Sequence, residues 1–322
     1  MNRRSKWVIT AVIFLVAGAL ACIVALFVLK FDFKKLGTVS YVSKTFDIKE
    51  SFSNINIDGS TEDIQFYLSD DNTCKVVIYE AEKNPHEVRV EKDTLKILQK
   101  KKGWLWNFGI VTESPKITIY LPDMIYMELV IDSDTSDVEV PEVLSFDSVK
   151  LDLDTGDVKW YAYVSGELNI ETSTGDISVS DISNTSLILK TDTGRIDLSN
   201  LKVTGDINTK VTTGKIFMTN VQCKNFISKG DTGKLEMSNV FASEKFDLKR
   251  STGDIIFNQC DAESIFVETD TGDVTGSFLS DKIFFTDTDT GDVDVPKSMT
   301  GGRCEITTDT GDILIHIGGE EE

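Results

Sequence analysis

The sequence predicts an all-β chain, a single elongated β-solenoid with 19–20 residues per coil that is carried on one amino-terminal transmembrane helix. Three observations predict it. A short stretch, Asp154-Thr155-Gly156-Asp157-Val158, recurs with its glycine at 156, 175, 194, 214, 233, 253, 272, 291 and 311. A period this fixed is the signature of one supersecondary unit stacked on copies of itself. Around each glycine the side chains alternate between apolar and polar, as the two faces of a strand require. Finally, an uninterrupted apolar run extends from Trp7 to Leu29.

That run follows Asn2-Arg3-Arg4-Ser5-Lys6 and ends at Lys30. Its length, ~34 Å as a helix, matches a bilayer core, and no small-residue cleavage site closes it, so it is expected to remain as an anchor. The cationic residues before it favour a cytoplasmic amino end of residues 1–6, although Lys30, Lys34 and Lys35 weaken the asymmetry. Residues 7–29 would then contact the lipid bilayer, 30–45 form a linker, and the body lie outside the cell membrane.

From 46 to 130 the alternation is strand-like but irregularly spaced, as in Asn54-Ile55-Asn56-Ile57 and Lys75-Val76-Val77-Ile78-Tyr79. Glu62-Asp63-Ile64 reads as a decayed copy of the repeat. This segment is expected to be a longer-looped β cap, because the terminal units of a stack must close its open core. Regular coils are expected over 131–317, beginning with Asp134-Thr135-Ser136-Asp137-Val138, and an acidic tail over 318–322.

Aligned on the glycine, the residues seven before it read Val149, Leu168, Leu187, Ile207, Phe226, Phe246, Ile265, Phe284 and Cys304. Those two after it read Val158, Ile177, Ile196, Ile216, Leu235, Ile255, Val274, Val293 and Ile313. These are the expected inward positions of a strand-turn-strand unit. Nine such units at ~4.8 Å make a core ~43 Å long. The glycine is expected to supply a positive φ at a tight corner. Of the five cysteines, Cys260 and Cys304 fall at apolar positions and read as buried free thiols, while Cys223 and Cys260 stand about two coils apart, too far to bridge.

The repeated Thr-Gly-Asp-Ile/Val units, the Asp93-Thr94-Leu95-Lys96-Ile97 segment, the Leu121-Pro122 that ends a strand and the single amino-terminal span resemble the bacterial β-strand-repeat putative adhesin family, over roughly residues 46 to 317. The resemblance implies a cell-surface location and adhesion, with some family members associated with cell-envelope stress. It implies no catalytic residue.

Composition and pattern narrow the function further. A formal charge of −20 argues against general nucleic-acid binding, since a polyanion needs a cationic surface. Asp-Thr-Gly is also the active triplet of aspartic proteases, but here it occurs six times in register, which a repeated corner explains without catalysis. A polysaccharide lyase or glycosidase would need one coil that departs as an active site, and the acidic residues are instead evenly spread. His86 and His316 have no evident partners in the sequence. No enzyme activity is expected, and no cofactor.

Calcium stays open as a structural ligand. Asp287-Thr288-Asp289-Thr290-Gly291-Asp292 has spaced carboxylates, although Ser298 stands where an EF-hand loop needs its bidentate acid. Stacking in sequence order would align Asp270, Asp289 and Asp309, with Asp273, Asp292 and Asp312 across the corner.

The charge pattern yields the sharpest candidate. Four residues before the glycine stand Lys190, Lys210, Lys229 and Lys249, and one residue after it stand Arg195, Lys215 and Lys234 where the other six units have Asp. Two basic rows thus coincide in the middle coils. They could bind an anionic cell-wall polymer, or they could simply neutralise Asp192 and Asp231. The loop Lys100-Lys101-Lys102-Gly103-Trp104-Leu105-Trp106 could dip into a membrane interface, grip a sugar or another envelope protein, or plug the open end of the stack, so Trp104 and Trp106 join the candidate ligand-binding residues. Two functions follow: a membrane-anchored binding or scaffolding module of the envelope, or an accessory sensor of envelope stress acting through a membrane partner.

Overall fold

The computed structural model describes residues 14–18, 20, 40–100 and 114–318. Residues 14–18 and 20 are helical, and Phe14, Leu15, Val16 and Leu20 are exposed. Among the described residues no helix is long and apolar enough to cross a membrane. The rest of the 7–29 stretch, and the loop with Trp104 and Trp106, lie outside the described residues.

The body is all-β. Its strands run from β1 (Tyr41–Ile48), β2 (Asn54–Asp58), β3 (Asp63–Leu68), β4 (Cys74–Ala81), β5 (His86–Glu91), β6 (Thr94–Gln99), β7 (Lys116–Leu121), β8 (Ile125–Thr135) and β9 (Val138–Val140) through β10 (Ser145–Thr155) to β19 (Ile255–Thr271). They end with β20 (Val274–Phe278), β21 (Lys282–Thr290), β22 (Val293–Asp294), β23 (Gly302–Thr310) and β24 (Ile313–Ile317). From β8 onward every pairing between coils is parallel and in register on the glycine, as in Ile196↔Ile216 and Leu235↔Ile255.

The inward positions follow the alternation. Residues seven before the glycine from Val149 to Ile265, together with Cys304, are fully buried, and so are those two after it except Val293. Aromatic rings continue along the axis, with Phe246 stacked on Phe257 and Phe257 meeting Phe278 edge to face. Cys74, Cys223, Cys260 and Cys304 are free and buried. Burial pushes the Cys260 thiol up to about 11 and the Cys304 thiol up to about 12, which leaves them inert.

The coil order departs from the sequence at both ends. β23–β24 pairs on one side with β19–β20 and on the other with β21–β22, so the Gly311 coil is inserted between the Gly272 and Gly291 coils. The aspartate rows therefore run Asp270–Asp309–Asp289 and Asp273–Asp312–Asp292, a correction to stacking in chain order. The two coils differ at their inward positions. The Gly311 coil carries Cys304, Ile306, Ile313 and Ile315, all buried, whereas the Gly291 coil carries Phe284, Thr286, Val293 and Val295. Placing the Gly291 coil last puts the one with a polar inward residue, Thr286, at the open end, and there Val293 is 45% exposed.

The amino-terminal end does the same. β2–β3 pairs with β6–β7 on one side and with β8–β9 on the other, so the decayed copy at Glu62-Asp63-Ile64 is an inner coil with Glu62 in the glycine place. Beyond it, β4 lies antiparallel to β7, β1 antiparallel to β4, and β5 antiparallel to β6. The irregular segment is thus two true coils plus an antiparallel cover.

Candidate binding surface

Three devices define the Thr-Gly-Asp corner. The glycines have φ between +132° and +155°, and a Cβ at Gly214 would overlap the carbonyl oxygen of Gly194 in the coil beneath. No other residue supplies that conformation without strain or fits the approach. The second device is the aspartate after the glycine. Its Oδ1 accepts the backbone N–H of the same position in the next coil: Asp137 from Asp157 at 2.8 Å, Asp157 from Asp176 at 2.8 Å, and Asp176 from Arg195 at 2.7 Å. The ladder resumes as Asp254 from Asp273 at 3.1 Å, Asp273 from Asp312 at 2.9 Å, and Asp312 from Asp292 at 2.8 Å. The third is a threonine three residues before the glycine, whose hydroxyl donates to the glycine carbonyl of the adjoining coil, as Thr191 to Gly175 at 3.0 Å and Thr308 to Gly272 at 3.2 Å.

Both bonds fail together at three successive coil interfaces, from Gly194 to Gly253. The threonine place holds Val211, Gly230 and Arg250, and the aspartate place holds Arg195, Lys215 and Lys234. At the first of these interfaces the backbone pairs continuously through the corner, with Gly194↔Gly214 and Arg195↔Lys215 in register. At the other two, the Lys234 and Asp254 amides have no hydrogen-bond acceptor among the described residues.

The two basic rows stand in these coils. Lys190 lies beside Lys210 and Lys229 beside Lys249 across the ladder. A buried hydrogen bond from Thr209 to Ser228, 2.8 Å, links the two coils that carry Lys210 and Lys229. The ends of the row are neutralised, Lys190 by Glu171 at 2.7 Å and Lys249 by Glu268. Lys210 and Lys229 between them are exposed and make no ion pair among the described residues. In the second row Arg195 reaches Asp197 at 2.8 Å and Lys234 reaches Glu236 at 2.7 Å. Lys215, exposed, has Phe217 in that place and again no ion-pair partner. Neutralisation thus accounts for the flanks of the patch and leaves Lys210, Lys215 and Lys229 over.

Beneath the patch lies Arg250, which is 5% exposed. Its Nη1 donates to the Lys249 carbonyl at 2.9 Å and its Nη2 to the Ser228 hydroxyl at 3.0 Å, and Gly230 leaves the room its guanidinium fills. Burial lowers its pKa to about 10, so it stays charged without a carboxylate partner. The sequence signal for it was a cation in the place where Thr172, Thr191, Thr269, Thr288 and Thr308 stand in other coils.

Of the six aspartates proposed for calcium, two have an Oδ1 already bonded within the ladder. Asp273 and Asp312 each give Oδ1 to a backbone amide, and among the described residues no three His, Cys, Asp or Glu side chains converge as metal ligands. A second ladder escaped the sequence reading. Six residues after the glycine, Asp181, Asn200, Asn220 and Asn239 adopt φ of 55–60°, and their side chains bond in series at 2.9, 3.1 and 3.2 Å. Extending the glycine alignment by two residues reveals it.

The cap holds a cluster that the sequence also hid. His86 is buried, with Nδ1 2.7 Å from Glu80 Oε2 and its backbone N–H donating to the same oxygen at 2.6 Å. Lys44 donates to the other Glu80 oxygen at 2.6 Å. Glu62, on the far side, lies 3.7 Å from His86 Nε2, too long for a hydrogen bond, so the two attract by charge alone. Burial works against the imidazolium but is outweighed by the two glutamates, which raise the His86 pKa. Burial likewise opposes ionised Glu62, yet His86 and the Ser60 and Thr61 amides hold its pKa below the usual value.

No curated protein matches the chain. Among solved structures it is similar to a "putative adhesin" from Parabacteroides merdae ATCC 43184, with 11% identity over 87% of this chain and 98% of that one and a TM-score of 0.47. It is also similar to a "putative lipid binding protein" from Parabacteroides distasonis ATCC 8503, with 18% identity over 73% of this chain and 94% of that one and a TM-score of 0.44. The model of the family described as Toastrack DUF4097 matches residues 52–212 and 204–322. With that match running through the repeat and both of its tucked ends, the chain belongs to the Toastrack DUF4097 family.

Proposed function

We propose that this protein is a membrane-anchored, non-catalytic β-solenoid of the bacterial cell envelope, an adhesin-like module that holds an anionic polymer against its middle coils. The observation that carries this reading is the uneven neutralisation of the basic rows. Lys190, Lys249, Arg195 and Lys234 have carboxylate partners, whereas Lys210, Lys215 and Lys229 project from adjacent coils without one. On a chain of net charge −20, exposed lysines left without carboxylate partners attract anions locally while the acidic surface around them repels them.

The apolar stretch 7–29 supports anchoring, and the even distribution of acidic groups supports a role without catalysis. Titration of the purified full-length chain with teichoic acid, and with an uncharged glucan as control, tests the binding. Binding to the polyanion that weakens with salt is expected, and the triple charge reversal at Lys210, Lys215 and Lys229 should abolish it. Equal affinity for the uncharged glucan, or an unchanged reversal variant, would sink the proposal.

A sensor of envelope stress is the second reading, favoured by the Glu62–His86–Glu80–Lys44 cluster in the cap. It ties β1, the strand nearest the apolar segment in the chain, to the body through ionisable groups. A partner that co-purifies with the full chain at one pH and is released at another would support this reading.

A further inference from the structure

In the outer coils every corner amide that follows a glycine is held by a carboxylate oxygen, at 2.7–3.1 Å from Asp157 to Arg195 and from Asp273 to Asp292. The corner is therefore a proven seat for an anionic oxygen, built from a backbone N–H and a chain bend that only glycine allows. In the middle coils the seat persists and its occupant is gone. The residues that would supply the carboxylates to the Lys234 and Asp254 amides are Lys215 and Lys234, and neither amide has another acceptor among the described residues. Cations now stand where the anions stood.

Building on the binding reading above, we propose that the Gly214 and Gly233 corners are an anion-binding site in which carboxylate or phosphate oxygens of the polymer take the place of the missing aspartates. The ligand oxygens accept the Lys234 and Asp254 N–H groups, and Lys215 and Lys234 supply the countercharge. Hydrogen bonds from backbone amides to an anion, supported by ammonium groups, are the stronger kind. The two seats are one coil apart, ~4.8 Å along the axis. This spacing selects a polymer whose anionic groups repeat along an extended chain over a single anion. Asp231, Glu236 and Asp254 border the site and set its limit: they disfavour ligands too broad to fit between them, and Glu236 already competes for Lys234 at 2.7 Å. The exposed Lys210 and Lys229 flank the same corners and extend the contact along the polymer.

The test separates the amides from the charges. K215N/K234N removes two cations and supplies two side-chain oxygens placed to cap the amides, whereas K215M/K234M removes the same cations and caps nothing. Full-length protein and both variants are titrated with poly-L-glutamate and with polyphosphate, which distinguishes a carboxylate from a phosphate polymer. The parent chain should bind at least one of them. The methionine variant should bind more weakly, and the asparagine variant weaker again by about tenfold, the worth of a charge-assisted hydrogen bond. The asparagine variant should also melt no lower than the parent, which shows that its loss of binding is not a loss of fold. Equal affinities for the two variants would overturn the amide site while leaving the cationic surface in place. Failure of the parent chain to bind either polymer would remove both.

Discussion

The outer coils and the middle coils share one backbone and differ in how neighbouring corners are tied. Outside, an aspartate and a threonine each bond across the coil interface, as Asp157 to the Asp176 amide and Thr191 to the Gly175 carbonyl. Inside, from Gly194 to Gly253, both ties are absent and Arg195, Lys215, Lys234 and the buried Arg250 appear instead. The difference teaches that the glycine specifies the bend while its neighbours decide whether successive bends are tied to one another by side chains. A stack whose stability is a sum over neighbours can leave three interfaces less tied provided that the others hold.

The largest expected effect should be blind to this difference. Gly175→Ala in a tied corner and Gly214→Ala in an open one both force a side chain into a φ near +152° and against the carbonyl of the coil beneath. Each should cost roughly 3–5 kcal/mol in thermal or denaturant unfolding. A mild effect at Gly214 alone would mean that the open corners are also conformationally slack.

A smaller effect should divide the two regions. Asp157→Ala removes the acceptor of the Asp176 amide and should cost about 1 kcal/mol, as loss of a partly solvated charge-assisted bond does. Lys215→Ala removes no such bond and should be near neutral, while Lys215→Asp rebuilds the tie to the Lys234 amide and should raise the melting temperature. Identical costs at 157 and 215 would show that the ladder contributes nothing.

The smallest expected effect lies in the cap. With its folded pKa raised above 6.5, His86 stabilises the cap fully below that pH, and the contribution is lost as pH rises through the folded value. With its folded pKa lowered below 4.5, Glu62 stabilises fully above that pH and is lost as pH falls through the folded value. Protection of β1 and β4 amides from hydrogen exchange should therefore peak between about pH 4.5 and 6.5 and decline on either side, with the middle coils as an internal reference. A flat profile in the parent chain, or one unchanged by His86→Gln, would detach the cluster from cap stability.

Much of this was legible in the residues. The period placed every corner, and the alternation placed the core from Val149 to Cys304, because burial on one side of a strand imposes a period of two. The basic rows could be read too, since in-register stacking turns a spacing of 19–20 into adjacency. The Asn200–Asn220–Asn239 ladder lay on the same alignment. What the period could not disclose was the exchange of the Gly291 and Gly311 coils. Their corners are alike in sequence, and the two coils differ at inward positions away from the corner, Ile306 against Thr286 and Ile315 against Val295. The His86 cluster was hidden for another reason. Glu62, Glu80 and His86 are brought together by antiparallel strands outside the repeat, so no spacing links them.

The most direct measurement is an amide-resolved titration of the isotope-labelled full-length chain with poly-L-glutamate and, separately, polyphosphate. The account predicts that the Lys234 and Asp254 amides shift most and move downfield, as amides gaining an anionic acceptor do, while the Asp157 and Asp176 amides, already held by aspartate, stay in place. Shifts spread evenly along the lysine row with the Lys234 and Asp254 amides unmoved would contradict it.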